Sequence, residues 1–290
     1  MRHEIFVPRT ENELFNFLDL NGAHSKLVSG ATDLLPRIKR RQEEAIILVD
    51  LSRLGSFRYV KSEGGVIRVG ALTTLTDLIR SEVLGVEYEA IKKLELTFAS
   101  PPVRNIATVG GNLAASSSSE DLIPIFLTLD ARVSLKSARK ERVIPLVEFI
   151  RGKRETSRTN NEILAEISFN ELKPNSWCTF EKIGRRERVI ISLVSLACTL
   201  AIDRNSGRVG DVKIALNRVR GKIPERALET EKILLGSDLN ESKLQEACEI
   251  LESELCLTSD FRASAKYRTE VAKNLLRECL THCKHCIEER

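Results

Sequence analysis

The chain has 290 residues, of which 42% are hydrophobic and 30% charged, a composition typical of a globular protein with room for two domains. Its 45 basic and 41 acidic residues are spread along the chain and leave a net charge of +4, which argues against nucleic acid as a partner. The densest basic run, at residues 37–41, is typical of a solvated helix face. The longest apolar stretch, residues 189–202, is too short for membrane insertion. Seven cysteines form no regular framework, which favours a reduced, cytoplasmic protein.

The spacing of apolar residues and the positions of Gly, Pro and Asn divide the first part of the chain into short elements. Thr10 and Glu13 form a capping box that predicts the start of the first helix. In chain order, the other predicted elements are strands at residues 5–7, 26–28 and 46–49, a hairpin of 57–60 with 66–69, helices at 75–81 and 82–96, a strand at 132–136, a helix at 146–150, a mobile polar loop at 152–161 and a strand at 163–169.

The tripeptide Lys-Pro-Asn at residues 173–175 is the best candidate for a domain boundary. Beyond it, the pattern predicts three strands followed by helices. These elements are strands at residues 177–183, 190–202 and 209–216, helices at 225–235 and 261–280, and a helical stripe of apolar residues over 244–255. Strands followed by helices, without a βαβ repeat, predict an α+β fold with domains at residues 1–173 and 174–290.

Two loops of small residues carry the strongest functional signal. The first is Val-Ser-Gly-Ala-Thr-Asp at residues 28–33, and the second is Ala-Thr-Val-Gly-Gly-Asn-Leu at 107–113. Glycine allows another molecule to approach the backbone, and several amides directed into one concavity form an anion site. One such loop is usually only a turn, but two of them indicate a ligand with two phosphates. Neither loop continues into a P-loop or a Rossmann fingerprint, and the sequence contains no motif of a serine hydrolase or a metalloprotease.

Four ordered motifs resemble those of one family. They are SGATDLLP at residues 29–36, VRNIATVGGNL at 103–113 with DLIP at 121–124, FEKIGRR at 180–186 and DFRASAKYR at 260–268. In order and separation, along essentially the whole chain, they are similar to the FAD-binding (medium) subunit of the molybdenum hydroxylases, the xanthine dehydrogenase and carbon monoxide dehydrogenase type.

This resemblance implies both a fold and a function. The implied fold is a two-subdomain FAD-binding domain of the vanillyl-alcohol-oxidase/PCMH type, with subdomains at about residues 1–55 and 56–173, followed by a C-terminal three-stranded sheet with helices. The implied function is that of an electron-transfer subunit, which takes electrons from 2Fe-2S clusters and passes them to NAD+ or another acceptor. The implied partners are a large molybdopterin-binding subunit and a small 2Fe-2S subunit, assembled as a dimer of heterotrimers.

The resemblance also assigns contacts to FAD, and it assigns no catalytic residue. The two loops hold the diphosphate, Phe98 packs against the isoalloxazine ring, and Asp121 accepts hydrogen bonds from ribityl or ribose hydroxyls. Leu164 supplies a main-chain contact, and Lys182 supplies positive charge near the reduced flavin. Taken alone, Phe98 is typical of a core residue and Asp121 of a helix N-cap. The implied cofactor-binding residues are Val28, Ser29, Gly30, Ala31, Thr32, Asp33, Leu34, Phe98, Thr108, Val109, Gly110, Gly111, Asn112, Asp121, Leu164 and Lys182.

Ala31 departs from the pattern, because many members of the family carry a second glycine at this position. If the position needs a positive φ, alanine costs on the order of 1 kcal/mol and loosens the loop. Two alternatives stay open, and Ala31 bears on the second of them. One is a stand-alone flavin reductase or oxidase of the same FAD fold, and the other is a flavin-free scaffold subunit.

The C-terminal run at residues 279–286 is rich in Cys and His. On a helix, Cys279, Cys283 and Cys286 share one face, and Cys256 is available as a fourth thiolate. Such a set suits zinc or an iron–sulfur cluster. Reduced thiols without a metal are the favoured interpretation, so no metal is predicted.

Overall fold

The computed structural model describes residues 4–43, 47–186, 191–217 and 224–290. Its strands are β1 (Glu4–Phe6), β2 (Ser25–Val28), β3 (Ile47–Asp50), β4 (Val60–Glu63), β5 (Val66–Gly70), β6 (Arg132–Lys136), β7 (Glu141–Pro145), β8 (Ile150–Gly152), β9 (Glu155–Thr156), β10 (Ile163–Asn170), β11 (Ser176–Gly184), β12 (Ser192–Ile202), β13 (Val209–Asn217) and β14 (Glu225–Arg226). Its helices are α1 (Glu11–Asn21), α2 (Leu34–Lys39), α3 (Leu75–Arg80), α4 (Glu89–Lys92), α5 (Leu94–Thr97), α6 (Pro101–Arg104), α7 (Val109–Ala115), α8 (Leu122–Thr128), α9 (Leu146–Phe149), α10 (Leu228–Leu234), α11 (Glu241–Glu254) and α12 (Ala265–Glu288). This content confirms the predicted α+β class. Within the described ranges, no helix combines the length and the apolarity that a membrane span requires.

The chain divides into two compact units that are discontinuous in sequence. The first unit comprises Met1–Val83, Ser100–Ser116 and Ala131–Phe169. The second unit comprises Leu84–Ala99, Ser117–Asp130 and Asn170–Arg290. The continuous domains at residues 1–173 and 174–290 stay a prediction.

Two sheets form the framework of the first unit. The smaller is a parallel sheet in the order β1-β3-β2, and the larger has five strands in the order β4-β5-β10-β6-β7. As predicted, the Thr10 hydroxyl caps α1 by accepting a hydrogen bond from the amide of Glu13. The apolar side of α1 then buries Leu14 and Leu18 in a core that includes Val49 of β3. The predicted strand at residues 46–49 is found from Ile47 onward, and residue 46 lies outside the described part.

The predicted hairpin also belongs to the first unit, with a shift in its first strand. The chain makes a 3-10 turn at Gly55–Phe57, so β4 begins only at Val60, whereas a strand at 57–60 was expected. The turn to β5 needs left-handed backbone at two positions, and Gly64 and Gly65 supply it with φ of +60° and +76°.

Part of the polar segment at residues 152–161 has regular structure that the sequence analysis did not predict. Gly152 ends β8, and Glu155–Thr156 form β9 of the two-stranded antiparallel sheet. The Ser116 hydroxyl donates to the carbonyl of Gly152, which fixes this turn to the end of α7. A hydrogen bond between residues 36 positions apart therefore anchors one end of a segment whose composition alone is typical of a loop.

In the second unit, the predicted helix at residues 82–96 is broken into pieces. The structure has a 3-10 turn at Val86–Tyr88 followed by the short helices α4 and α5. Contacts with distant residues stabilise this succession of short elements. The Tyr88 hydroxyl accepts from the amide of Leu172, and the Glu89 carboxylate accepts from the Thr179 hydroxyl at 2.8 Å. Helical propensity alone does not include such contacts.

The second unit is built on an antiparallel sheet in the order β11-β12-β13-β14. The prediction of three strands was therefore one strand short. The missed strand is β14, which occupies the first residues of the helix expected at 225–235, so that α10 starts only at Leu228. The predicted strand at 190–202 is found as β12, which begins at Ser192, and residue 190 lies outside the described part.

Helix α12 covers one face of this sheet. Its predicted start at residue 261 was too early, because the Asp260 carboxylate accepts from the amides of Arg262 and Ala263 and holds a turn there. Ser264 is the N-cap and accepts from the amide of Tyr267. The buried face of α12 consists of Arg268, Ala272, Leu275, Leu276, Cys279, Leu280 and Cys283.

Candidate functional site

The first loop, residues 29–33, connects β2 to α2 in the first unit. Ala31 adopts a φ of +57°, so the position that departs from the family pattern is a left-handed one. Gly30 touches the other loop. A Cβ atom added to Gly30 would lie 1.9 Å from the carbonyl oxygen of Ile106. Only a residue without a side chain lets the two backbones come this close.

The second loop, residues 107–113, runs into helix α7. Thr108 is the N-cap, and its hydroxyl oxygen accepts from the amide of Gly111 at 3.1 Å. The same hydroxyl lies 2.8 Å from the hydroxyl of Ser29. The structure therefore brings the two predicted loops together and joins them through a pair of hydroxyl groups.

The two loops differ in whether their backbone amides already donate hydrogen bonds within the protein. In the second loop, the amide of Val109 donates to the carbonyl of Thr73 at 2.9 Å, and that of Gly110 donates to Ala71 at 2.8 Å. The expected concavity of free amides is therefore not found there. In the first loop, the amides of residues 30–33 have no hydrogen-bond acceptor among the described residues. Free amides next to a left-handed residue form the kind of backbone concavity that binds anions.

The two glycines of the second loop are required by packing. A Cβ atom on Gly110 would lie 2.6 Å from the Cβ of Ala71 and 2.9 Å from a methyl group of Leu164. A Cβ atom on Gly111 would lie 2.7 Å from the Thr108 hydroxyl oxygen and 3.1 Å from that of Ser29. Gly111 therefore leaves the hydroxyl pair uncovered, and Gly110 brings the loop against Leu164, one of the predicted site residues.

Arg154 is a site residue that the sequence analysis missed. Its guanidinium donates to both carboxylate oxygens of Asp33, at 2.6 and 3.1 Å, and to the carbonyl of Ala115 at 3.1 Å. Its backbone amide donates to the carbonyl of Ser116 at 2.8 Å. Arg154 thus ties the first loop to the end of α7. No local pattern identifies it, because it lies 121 residues from Asp33 in a polar segment.

Asp121 and Lys182 lie in the second unit, where they form a buried ion pair. The ammonium nitrogen lies 2.6 Å from a carboxylate oxygen, and the side chains are 1% and 5% exposed for Lys182 and Asp121. Burial raises the pKa of the Asp121 carboxyl, and the neighbouring ammonium opposes this effect. Asp121 precedes α8 but makes no side-chain capping bond. The sequence proposed these residues as separate flavin contacts, whereas the structure shows that they bind each other.

Phe98 also belongs to the second unit, where it is half-buried at the end of α5. Its amide donates to the carbonyl of Leu94, and the next residue, Ala99, has a φ of +41°. Its predicted role towards the flavin ring stays a prediction.

The C-terminal thiols lie on the buried face of α12. Cys279 and Cys283 are fully buried in the apolar core of the second unit, Cys286 is half-buried and Cys256 is exposed. Burial raises the pKa of the Cys279 and Cys283 thiols well above the usual range, so both are neutral thiols. Among the described residues, no group of three or more Cys, His, Asp or Glu side chains is arranged to hold a metal ion. The hypothesis of a metal cluster therefore has no ligand set here.

The residues of the two loops fit an anionic dinucleotide. Residues 30–33 offer backbone donors, and Ser29, Thr32 and Thr108 offer hydroxyl groups. The carboxylate of the first loop, Asp33, is already bound to Arg154 and therefore repels an anion less. No nucleophile with an adjacent base is found among the described residues of these loops. The arrangement is suited to binding and positioning.

The α+β fold and the two joined loops, with their backbone and hydroxyl donors, define a class of protein that binds an anionic, phosphate-bearing ligand. The comparisons with known families make the assignment specific. Residues 1–169 match the family described as FAD binding domain in molybdopterin dehydrogenase, and residues 179–283 match the CO dehydrogenase flavoprotein C-terminal domain. The chain therefore belongs to the family of FAD-binding medium subunits of the molybdenum hydroxylases, which are oxidoreductases. This confirms the predicted family and FAD as its cofactor.

Known relatives cover nearly the whole chain. The nicotinate dehydrogenase FAD-subunit of Eubacterium barkeri is 27% identical over 282 residues, which are 95% of this chain and 94% of the relative. The glyceraldehyde dehydrogenase medium chain of Sulfolobus acidocaldarius is 28% identical, with 91% and 92% covered. A chain of the reconstituted CO dehydrogenase from Oligotropha carboxidovorans superimposes with a TM-score of 0.92 at 26% identity, with 98% of each chain covered.

Proposed function

We propose that this chain is the electron-transfer subunit of a molybdenum-dependent hydroxylase or dehydrogenase. In this role it accepts electrons from the 2Fe-2S clusters of a small partner subunit and passes them to NAD+ or another acceptor. FAD supplies the redox chemistry, because it accepts and releases electrons within one bound group. The observation that carries the proposal is the pair of joined loops, in a chain that belongs to this family along nearly its whole length.

The first unit supplies the residues proposed to hold the diphosphate of FAD. The amides of residues 30–33 donate to the phosphate oxygens, together with one hydroxyl of the Ser29–Thr108 pair, because the hydrogen of the other hydroxyl is used in the bond between the two loops. Hydrogen bonds to charged groups contribute roughly 1.5–3 kcal/mol each, so a few of them retain a dinucleotide without a P-loop lysine. Val28, Leu34, Val109, Asn112 and Leu164 complete the predicted surroundings, and Leu164 is supported by its packing against Gly110. The flavin roles of Phe98, Asp121 and Lys182 stay predictions from the resemblance.

The proposed partners are a large molybdopterin-binding subunit and a small 2Fe-2S subunit, in a dimer of heterotrimers. Relatives that carry the names medium chain and FAD-subunit support a multi-subunit complex. A FAD-binding fold of the vanillyl-alcohol-oxidase/PCMH type and a cytoplasmic location belong to the same proposal. The location is supported by the seven free thiols, which suit a reducing compartment.

Binding of FAD to the purified chain tests the cofactor part of the proposal. We expect FAD to stabilise the chain against unfolding by about 4 kcal/mol at a free concentration of about 1,000 times Kd. Gly111→Ala should weaken FAD binding, because the added Cβ covers the Ser29–Thr108 hydroxyl pair. Gly55→Ala is the matched control, since a Cβ at Gly55 meets no atom within 4 Å. Equal FAD affinity of the two variants would contradict the proposed site.

Metal analysis of the complex recovered through a tag on this chain tests the electron-transfer part. Iron and molybdenum in fixed ratio to FAD, and oxidation of the chemically reduced flavin by NAD+, are the expected results. A flavin-containing chain that carries neither metal, and whose flavin is reduced directly by a small organic substrate, would indicate the stand-alone reductase or oxidase. A colourless chain that takes up no added FAD would indicate the scaffold subunit.

A further inference from the structure

A cleft of about 690 Å³ lies in the first unit, beside the first loop. Thr32 and Asp33 of that loop form one edge. Four cations also line the cleft, namely Arg37, Arg40, Lys153 and Arg154. The volume falls within the range of small-molecule sites in proteins.

Asp33, the carboxylate that lines the cleft, does not balance the positive charges of the four cations. Arg154 is bound to Asp33 through two hydrogen bonds, and Arg37 is paired with Glu43 and lies 3.5 Å from Asp33. Arg40 and Lys153, in contrast, form no ion pair with any residue that the structure describes. Two positive charges are therefore available for an anion in a cleft that already contains backbone and hydroxyl donors.

The walls of the cleft are held in place by contacts that span the first unit. Arg37 and Arg40 lie three residues apart, at the end of α2 and its C-cap. Lys153 and Arg154 lie on the β8–β9 turn, where Arg154 has a φ of +66°. The bonds of Arg154 to Asp33 and to the end of α7 keep this unfavourable backbone conformation. Backbone strain that is maintained by its surroundings is characteristic of binding sites.

We propose that this cleft is a phosphate-binding site that takes a phosphate group of a nucleotide, with Arg40 and Lys153 as its direct cationic ligands. Guanidinium and ammonium groups are the side chains that bind phosphate most directly, because they combine charge with several N–H donors. The inference rests on the proposed function, since it extends the FAD loop to a neighbouring site. Two sources share the required chemistry: the diphosphate of FAD itself, and a phosphate of a second nucleotide that accepts electrons.

The test compares two doubly substituted chains of equal charge. Arg40→Gln/Lys153→Gln removes the two available cations from the cleft. Lys39→Gln/Arg151→Gln is the control, because these exposed residues neighbour the same two positions and do not line the cleft. The probes are FAD added to the chain without cofactor, and ADP added to the FAD-loaded chain. Thermal unfolding of each variant shows that it is folded.

We expect the cleft variant to lose at least tenfold in affinity for one of the two probes, with a weaker dependence of that affinity on salt. A loss for FAD identifies the cofactor diphosphate as the occupant, and a loss for ADP identifies a second nucleotide. Affinities for both probes within twofold of the control would overturn the inference. A chain of natural sequence that binds no FAD is a separate result, which counts against the proposed function.

Discussion

Ala31 shows how one residue links backbone geometry to the candidate site. Its φ of +57° lies in a region that costs an L-residue roughly 1–2 kcal/mol, and glycine avoids this cost. The amides of residues 30–33, on either side of this conformation, have no acceptor among the described residues. The chain therefore adopts a left-handed conformation at position 31, although it lacks the glycine that would make this geometry easy.

Ala31→Gly should raise the free energy of unfolding by about 1 kcal/mol, because the relief of strain exceeds the added flexibility of the unfolded chain. Urea denaturation of the two proteins measures the difference. Ala114→Gly is the matched control: Ala114 is exposed within α7, where glycine should lower the free energy of unfolding by a similar amount. A decrease in both variants would show that Ala31 is not strained.

The pair of Asp121 and Lys182 is the second residue-scale feature with a large expected effect. Lys182→Met leaves a buried carboxylate without its ammonium partner, which should cost about 3–5 kcal/mol of unfolding free energy. Burial alone then raises the pKa of Asp121 above its value in the unfolded chain. Such a group takes up a proton in the folded state, so its penalty grows as the pH rises through the folded pKa.

Chemical denaturation of Lys182→Met at about pH 8 and about pH 5 should therefore show the larger loss at the higher pH. Lys232→Met provides the surface control. Lys232 is 77% exposed and lies 3.8 Å from Glu229, so its removal should cost less than about 1 kcal/mol at either pH. A loss for Lys182→Met that does not change with pH would contradict a raised pKa of Asp121 in the variant.

At the scale of elements, the start of α7 organises the candidate site. Thr108 caps the helix, and its hydroxyl also contacts Ser29 of the first loop. The amides of Val109 and Gly110 bind carbonyl groups of residues 71–73, which fixes the first turn to the chain after β5. One N-cap thereby sets both the helix start and the spacing of the two loops.

Thr108→Ala should lower the free energy of unfolding by about 1 kcal/mol, because the amide of Gly111 loses its acceptor and Ser29 loses its partner. Thr108→Ser keeps the hydroxyl and should retain most of the stability. Thermal unfolding of both variants measures the difference. Equal losses in the two variants would assign the effect to the methyl group of threonine and contradict the capping role.

Elements with a local signal were predicted well. The helix start capped by Thr10 and the long strands of the C-terminal sheet required only neighbouring residues and hydrophobic periodicity, although the Glu13 carboxylate accepts from the amide of Arg9 and not from that of Thr10. The prediction of one helix at residues 82–96 was wrong, because Tyr88 and Glu89 bind β11 and the segment that precedes it. Strand β14 was missed because two residues carry no periodicity, and its pairing with β13 defines it.

At the scale of the whole molecule, Glu162 makes the free energy of unfolding depend on pH. Its carboxylate accepts two hydrogen bonds from Arg142, at 2.7 and 2.9 Å, and one from the amide of Thr159. The Arg142 hydrogen bonds are the main cause that lowers its pKa to about 2, from an ordinary 4.5. A lowered folded pKa stabilises the protein above pH 4.5, and this stabilisation is lost as the pH falls towards 2.

Glu162→Gln should remove roughly 2–3 kcal/mol of unfolding free energy at neutral pH and much less at acid pH. Urea denaturation from about pH 7 to about pH 3 measures both chains, and the two curves should converge at the acid end. Glu63→Gln is the control, because Glu63 is an exposed carboxylate paired only at the surface with Lys61. Parallel curves for Glu162→Gln and the natural chain would contradict the assigned pKa.

The sequence by itself determined the α+β class, the family, the cofactor and the two loops, because these depend on local motifs in a fixed order. Only the tertiary structure decided which donors are available. In the structure, the amides of Val109 and Gly110 in the second loop donate to carbonyl groups, those of residues 30–33 have no acceptor within the described part of the chain, and Arg154 binds Asp33. The structure also joins Asp121 to Lys182. Hydrogen bonds and ion pairs between residues far apart in the chain decide these features, and no local pattern of residues contains that information.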